Sequence, residues 1–172
     1  MREQFDRFRL ANAAAAVAIA FAVKLLVDQA PDAAVAWAFM RPAARAAAFY
    51  LGAMFDPVAL TLTARGVTLE VVRACSATDF FAIVFTLFAF TLPLRPLAVR
   101  LAAALASGWL ATVLSNSVRL ILFVFLDGFF PPSQIPAIHM AVGITVFLTV
   151  FGILWHGFVK RKDTSHGNIT AE

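Results

Sequence analysis

Charged residues and cysteines are both scarce in this sequence, and each scarcity excludes classes of protein. Only 14% of the 172 residues are charged, whereas a soluble domain normally carries about 25%. The basic residues behind the net charge of +4 lie at the ends of apolar runs and form no clustered face for nucleic acid. The single cysteine, Cys75, leaves no disulfide framework and no CxxC motif. No His-Glu-x-x-His motif occurs either, so we predict no metal, no cofactor and no nucleic-acid partner.

Hydrophobic residues, in contrast, make up 62% of the chain and give a mean hydropathy of +0.85. Several stretches of about 18 or more apolar residues are typical of membrane-spanning helices. We therefore predict an all-α polytopic membrane protein with about four transmembrane helices, an interfacial helix and a short extracytoplasmic β-hairpin before Cys75. Residues 1–160 form one membrane-embedded domain, and residues 161–172 form a polar, disordered cytoplasmic tail.

The four predicted spans cover residues 10–27, 77–92, 101–126 and 139–159. Arg and Lys concentrate before the first span, between the second and third, and after the fourth, and such basic segments mark the cytoplasmic side. Both termini are therefore predicted to be cytoplasmic. The first apolar run has an alternative interpretation as a signal peptide, since Ala34-Val35-Ala36 resembles a cleavage site.

Two segments before Cys75 do not have the pattern of a simple span. Residues 35–60 mix apolar groups with two arginines, which are costly inside a bilayer. We predict an interfacial or re-entrant helix there on the outer side, with a pair of short spans as the alternative. Residues 61–73 alternate apolar and polar side chains around Arg65-Gly66, which predicts a β-hairpin with its turn at these two residues.

The predicted topology brings three chemically useful side chains to one depth in the membrane. Cys75 precedes the second span from outside, His139 opens the fourth span from the same side, and Arg119 lies within about two turns of the outer end of the third. An arginine inside a span is costly and by default functional. The other two histidines, His156 and His166, fall on the cytoplasmic side. We therefore expect one thiol, one imidazole and one guanidinium to meet at the outer face.

These three groups suit acyl transfer through a thioester. A nearby cation lowers the pKa of a thiol and favours the nucleophilic thiolate, which predicts Cys75 as the nucleophile. His139 would protonate the leaving amine, and Arg119 would donate hydrogen bonds to the oxyanion. Asn116 lies one turn before Arg119 and would orient the guanidinium or supply a second donor. Ser115 adjoins Asn116 on the same polar stripe and is a second supporting residue.

Each candidate also has a purely structural interpretation. A lone cysteine in apolar surroundings is often an inert core residue, and a histidine at a helix start can simply lie at the interface. Arg119 can extend toward the outer loop or pair with Asp127 or Asp79. The sequence leaves these alternatives open.

The order of these residues resembles the exosortase/archaeosortase family. That family pattern has a Cys after a β-like segment, an Asn-x-x-Arg in a later span and a His that opens the next span. The matching residues here are Cys75, Asn116-Ser117-Val118-Arg119 and His139. The resemblance extends over roughly residues 66–155, and the short chain is most similar to the small exosortase K branch. The family often has Gly soon after the Cys, where this chain has Ser76-Ala77.

The resemblance implies a multi-pass bacterial inner-membrane cysteine protease or transpeptidase that acts at the extracytoplasmic face. Such enzymes process C-terminal sorting signals of the Pro-Glu-Pro (PEP-CTERM) type, which comprise a short motif, a transmembrane helix and a basic tail. The resemblance also implies the role of each site residue: Cys75 is the nucleophile, Arg119 stabilises the oxyanion or thiolate, and His139 is the general acid and base. The acyl acceptor, water or an amine, stays open.

A transmembrane substrate needs a helix face of the enzyme to pack against within the lipid bilayer. Gly108 and Thr112 continue the stripe of Ser115, Asn116 and Arg119 at spacings of three and four residues. Small residues let two membrane helices approach closely. We therefore predict Gly108 and Thr112 as the substrate-docking residues, with packing inside the protein as the alternative.

Two non-enzymatic functions compete with the protease prediction. In the first, the chain is a membrane scaffold and Arg119 is a structural ion-pair partner. In the second, it is a transporter subunit whose Arg119 binds anions. Both expect Cys75→Ser to be silent, whereas a thioester mechanism expects nearly complete loss of function.

Overall fold

The computed structural model describes residues 2–92, 96–126 and 129–166. Within these ranges the helices and strands are α1 Arg2–Asp28, α2 Asp32–Val35, α3 Arg41–Leu51, β1 Met54–Asp56, β2 Thr61–Ala64, β3 Val67–Glu70, α4 Thr78–Thr91, α5 Leu97–Leu126 and α6 Ile135–His166. A π-helical segment, Ala36–Met40, joins α2 to α3. Turns of 3-10 helix at Arg73–Cys75 and Pro132–Gln134 precede α4 and α6.

Two helices are long and apolar enough to cross a membrane, namely α5 and the Ile135–Gly157 part of α6. Ala14–Asp28 and Asp32–Leu51 pass the same test only as a pair, bent by 112° into a broken span or a re-entrant loop. Helix α4 has 14 residues and rises about 21 Å, less than the hydrocarbon thickness of roughly 30 Å. The described residues thus contain two or three spanning helices, and the prediction of four spans holds only in part.

Helix α6 extends beyond the predicted fourth span at both ends. It begins at Ile135, so His139 lies in its second turn and does not open the helix. It continues to His166, so residues 161–166 of the predicted disordered tail are helical. The rest of that tail, residues 167–172, lies outside the described residues.

Helices α4 and α5 form the centre of the fold, and their contact covers the predicted docking residues. A Cβ atom on Gly108 would lie 3.2 Å from the Phe85 Cα and N atoms of α4. Thr112 is fully buried one turn further on, and its hydroxyl donates to the Gly108 carbonyl at 2.8 Å. The prediction that Gly108 and Thr112 receive a substrate helix is therefore corrected, because α4 of the protein itself occupies that face.

Helix α3 packs against α5 through small side chains. The buried residues of α3 are Ala43, Ala44, Ala47 and Ala48. Alanine side chains let two helix backbones come close, and Ser117 Oγ of α5 donates to the Ala43 carbonyl at 3.1 Å. This close contact fixes α3 beside the polar half of α5.

Pro42 gives a physical reason for the π-helical segment before α3. A proline has no N–H, and its ring clashes with the carbonyl four residues earlier, which here belongs to Ala38. The helix widens at this point, and Trp109 Nε1 donates to the freed Ala38 carbonyl at 2.6 Å. The helix predicted within residues 35–60 is thus found at Asp32–Leu51. The 112° bend between this segment and Ala14–Asp28 is compatible with the re-entrant interpretation.

The predicted β-hairpin is confirmed. Strands β2 and β3 pair antiparallel with Ala64 opposite Val67, so Arg65 and Gly66 alone form the turn. Their φ angles of +52° and +82° suit the type I′ turn that matches the twist of the two strands. Strand β1 pairs with the other edge of β2 and was not predicted. The Arg65 guanidinium lies 4.4 Å from the ring centroid of Phe125, which ties the sheet to the C-terminal end of α5.

Candidate active site

The imidazole of His139 contacts both of the other predicted groups, the Cys75 thiol and the Arg119 guanidinium. Cys75 Sγ is 3.5 Å from His139 Nε2, and Arg119 Nη2 is 2.8 Å from both ring nitrogens of His139. Cys75 and Arg119 are only 4% and 6% exposed, and His139 is half-buried. The site therefore forms where the turn before α4 meets α5 and α6.

A tight backbone turn presents Cys75 to α5 and α6. The Cys75 N–H donates to the Val72 carbonyl at 2.7 Å, and the Ser76 N–H donates to the Arg73 carbonyl at 2.9 Å. Ala77 then leads the chain into α4 with a φ of +56°, in the left-handed region that favours glycine. A residue with a Cβ atom pays about 1–2 kcal/mol for this conformation.

Asn116 contacts the cysteine turn and not the guanidinium. Its Nδ2 donates to the Cys75 carbonyl, and its side chain is buried. The predicted role of orienting Arg119 is therefore corrected, because the amide binds the backbone carbonyl of Cys75. The neighbouring Ser115 is also buried, and its hydroxyl has no hydrogen-bond partner within the described residues.

Helix α6 approaches Arg119 closely at Gly143, which the sequence analysis did not single out. A Cβ atom on Gly143 would lie 3.3 Å from Arg119 Nε. Gly143 is four residues after His139, so both lie on the helix face that meets α5. Phe147, one turn further on, places its ring centroid 6.0 Å from Arg119 Cζ. The spacing of four residues from His139 is a signal by which sequence analysis could have found Gly143.

Asp79, one of the two acidic residues considered as structural partners for Arg119, pairs with another residue in the structure. Asp79 pairs with Lys24 at 2.6 Å, and Lys24 also pairs with Asp28 at 2.6 Å. Asp127 lies outside the described residues. Within the described parts of the chain no carboxylate therefore pairs with Arg119, and its Nε is buried without a hydrogen-bond partner.

The surroundings of His139 favour an imidazole that can accept a proton. A ring nitrogen accepts a hydrogen bond only when it carries no proton, and arginine is always a donor. A neutral imidazole has one such nitrogen, so Arg119 Nη2 donates to one of the two ring nitrogens and not to both. The contact with Arg119 therefore favours the neutral imidazole. The Phe123 ring packs edge-on against His139 with 4.8 Å between centroids, which fixes the plane of the imidazole.

The thiol is less acidic than the sequence predicted. Burial raises the pKa of the Cys75 thiol above its ordinary value, and the positive charge of Arg119 opposes this effect without overcoming it. This direction is opposite to the lowered thiol pKa that the sequence predicts, and it favours a protonated thiol at rest. His139 Nε2, 3.5 Å from the sulfur, is a base within reach of the thiol proton.

Arg73 is a second basic residue at the cysteine turn, and its role was missed. Its guanidinium donates to the carbonyls of Asp28 at 2.7 Å and Ala30 at 3.2 Å, and it pairs with Asp32. The carbonyls at a helix C-terminus lack partners within the helix and attract cations. Arg73 thus ties the cysteine turn to the end of α1.

A cleft of about 350 Å³ leads to the Arg119 side of the site. The residues that line it are Lys24, Asp28, Arg73, Ser76, Ala77, Thr78, Asp79, Arg119 and Phe147. They come from α1, the cysteine turn, α4, α5 and α6. The cleft therefore offers a polar approach to the buried guanidinium.

Comparison with protein-family models, curated proteins and solved structures finds no match. Among the residues that the structure describes, no group of three or more His, Cys, Asp or Glu side chains is placed to hold a metal ion. The chemistry of this site is therefore inferred from Cys75, Arg119 and His139 themselves.

Proposed function

We propose that this protein is a membrane-embedded cysteine protease or transpeptidase of the exosortase type. The observation that carries the proposal is the contact of Cys75 Sγ with His139 Nε2 at 3.5 Å, beside the Arg119 guanidinium. A nucleophile within hydrogen-bond reach of a base is the arrangement that a thioester mechanism requires. Cys75 and His139 are 64 residues apart in the chain, so the fold as a whole creates their contact.

Acylation uses all three side chains. His139 takes the Cys75 proton as the sulfur attacks the carbonyl carbon of the scissile peptide bond. The carbonyl oxygen becomes an oxyanion, which Arg119 stabilises by charge and hydrogen bonds. The intermediate collapses by breaking its C–N bond, and the leaving amine takes the proton from His139. A thioester on Cys75 and a free amine remain.

Deacylation repeats the proton transfers with a new nucleophile. His139 takes a proton from an incoming water or amine as it attacks the thioester carbonyl. The C–S bond then breaks, and the Cys75 thiolate regains its proton from His139. Water yields a carboxylate, and an amine yields a new amide bond.

The proposed substrate is an exported protein with a C-terminal signal made of a Pro-Glu-Pro motif, a transmembrane helix and a basic tail. The proposed orientation places Cys75 at the extracytoplasmic face of a bacterial inner membrane, with both termini in the cytoplasm. The cleft beside Arg119 supports entry of an extended peptide at this level. The apolar helices α5 and α6 support a membrane location.

Co-expression with a reporter tests the proposal. The reporter carries the three-part sorting signal at its C-terminus, and cleavage is read as a loss of mass on an immunoblot. We expect Cys75→Ala and Cys75→Ser to reduce the cleavage rate by at least about 1000-fold, since removal of a nucleophile has effects of this size or larger. Neutral hydroxylamine should release the acyl group from thioester accumulated on Cys75.

A matched pair on α6 controls for loss of the protein from the membrane. His139→Ala should abolish cleavage, whereas His156→Ala replaces an exposed histidine on the same helix and should leave cleavage unchanged. Both variants are compared at equal membrane abundance. Full cleavage by Cys75→Ser would refute the thioester mechanism.

One observation favours a non-catalytic alternative. Arg119 is buried with no carboxylate partner among the described residues, and it shares the cleft with Lys24 and Arg73. A buried, unpaired arginine in a membrane helix also fits a scaffold or transporter subunit in which Arg119 binds an anion. Under that alternative Cys75→Ser is silent, while Arg119→Gln abolishes anion binding.

A further inference from the structure

A second cavity lies away from Cys75, between the π-helical segment, α3 and α5. Its volume is about 620 Å³. Its lining combines apolar walls with two cations and includes Trp37, Phe39, Arg41, Arg45, Leu105 and Trp109. No acidic side chain is among the described residues that line it. We call this cavity the α3–α5 groove.

The two arginines of the groove have no anionic partner among the described residues. Arg41 and Arg45 are four residues apart on α3, so they lie on one face of the helix. Neither forms a salt bridge with a described residue. Arg41 Nε is buried without a hydrogen-bond partner in the described structure. Two neighbouring guanidinium groups without a salt bridge to a described residue favour an anion with several acceptor oxygens.

The walls of the groove suit a hydrocarbon chain. Trp109 Nε1 already donates to the Ala38 carbonyl at 2.6 Å, so this indole is held in place as part of the wall. Trp37 and Tyr50 on the same bent segment are 72% and 73% exposed. Tryptophan and tyrosine concentrate where lipid headgroups meet the hydrocarbon core, which places the groove beside lipid.

We propose that the α3–α5 groove binds one anionic phospholipid. The phosphate lies on Arg41 and Arg45, and an acyl chain runs along Phe39, Leu105 and Trp109. Basic pockets between membrane helices bind anionic lipid headgroups in this way. The groove binds the lipid whether or not Cys75 is a catalytic residue, so this site stands apart from the proposed protease function.

Tryptophan fluorescence tests the proposal, because two of the three tryptophans in the sequence line the groove. The third, Trp155 on α6, is removed by Trp155→Phe. The protein is placed in phosphatidylcholine nanodiscs that contain a small, equal mole fraction of dibrominated phosphatidylglycerol or dibrominated phosphatidylcholine. We expect the anionic quencher to reduce the fluorescence about 3-fold more than the zwitterionic one, because arginines near the membrane surface attract anionic lipid headgroups.

Charge-removal variants locate the effect. Arg41→Gln combined with Arg45→Gln should abolish the preference, and Arg45→Gln alone should weaken it. Arg65→Gln is the matched control, since it removes one exposed arginine from the hairpin turn, outside the groove. An equal loss with Arg65→Gln would mean a general charge effect and would overturn the site.

Two further outcomes would also overturn the proposal. Equal quenching by the two brominated lipids in the otherwise wild-type protein would show that the groove has no preference for an anion. Displacement of the brominated phosphatidylglycerol by inorganic phosphate would show that the groove binds a free anion. If the double variant does not fold, a competition experiment on the otherwise wild-type protein tests the proposal instead. Unlabelled phosphatidylglycerol should restore the fluorescence, and unlabelled phosphatidylcholine should not.

Discussion

Arg73 and Arg119 both lie beside the cysteine turn, but their surroundings are opposite. Arg73 has a side chain that is 40% exposed, and it donates to carbonyls at the end of α1 and to Asp32. Arg119 is 6% exposed, contacts the imidazole of His139, and keeps a buried Nε without a partner in the described structure. The fold satisfies the first arginine, whereas the second keeps one buried donor, Nε, without a partner among the described residues.

This difference is the one expected between a structural cation and a functional one. A cation that caps a helix end stabilises the fold by roughly 1 kcal/mol or less when it is exposed. A buried charge without a paired carboxylate costs stability and is retained where it serves function. Burial, together with the lack of a carboxylate partner among the described residues, therefore distinguishes Arg119 from Arg73, although both are arginines.

Lysine substitutions at the two positions should have the most unequal effects. Arg119→Lys keeps the charge but loses the planar set of donors, so we expect reporter cleavage to fall about 100-fold, as when one oxyanion donor is removed. Arg73→Lys should lower cleavage less than about 5-fold, because a lysine still binds helix-end carbonyls. Equal losses, measured at equal membrane abundance, would contradict the distinction.

A smaller effect is expected from crowding Arg119 without changing it. Gly143→Ala would place a Cβ atom 3.3 Å from Arg119 Nε and displace the guanidinium by a few tenths of an ångström. We expect cleavage to fall about 10-fold, since misplacement of a catalytic group by 1 Å costs about 100-fold. Gly152→Ala is the control on the same helix, because a Cβ there meets no atom within 4 Å. A loss as large in the control would point to helix packing as the cause.

The smallest effect concerns the pH dependence of the thiol. Because burial raises the pKa of Cys75, the thiolate fraction is small at pH 7. The rate of alkylation by a small neutral maleimide should then rise about tenfold per pH unit. This rise should continue beyond about pH 8.5, the usual thiol pKa.

The variant Arg119→Ala removes a charge that lowers the pKa of Cys75, so alkylation at a given pH should slow several-fold. Cys75 is the only thiol, so total labelling reports it alone. A plateau near pH 7 would contradict the protonated resting thiol.

The candidate site could be predicted because its members are rare in their surroundings. An arginine inside an apolar helix and a single cysteine next to an apolar run both stand out in the sequence. The hairpin turn at Arg65-Gly66 could be predicted equally well, since two-residue hairpin turns strongly prefer particular residues such as glycine. Strand β1 was missed because three residues, Met54–Asp56, are too few to show a period.

Two other predictions were wrong because the structural role of a residue depends on the segments around it. The fourth span was predicted to begin at residue 139, yet Pro136 is already the second residue of α6, where a missing N–H has no cost. The stripe of Gly108 and Thr112 correctly indicated close helix packing. It carried no information on which helix fills the face, and α4 does so.

The sequence by itself determined that the protein is mostly helical, with helices apolar enough for a membrane, and it determined the hairpin turn. Composition, hydrophobic length and turn chemistry act over short distances. Only the tertiary structure decided what each polar side chain contacts. Asn116 binds the carbonyl of a residue 41 positions away, and Cys75 meets an imidazole 64 positions away. Such contacts, and the burial that raises the thiol pKa, depend on how distant segments pack together, which no local pattern in the sequence records.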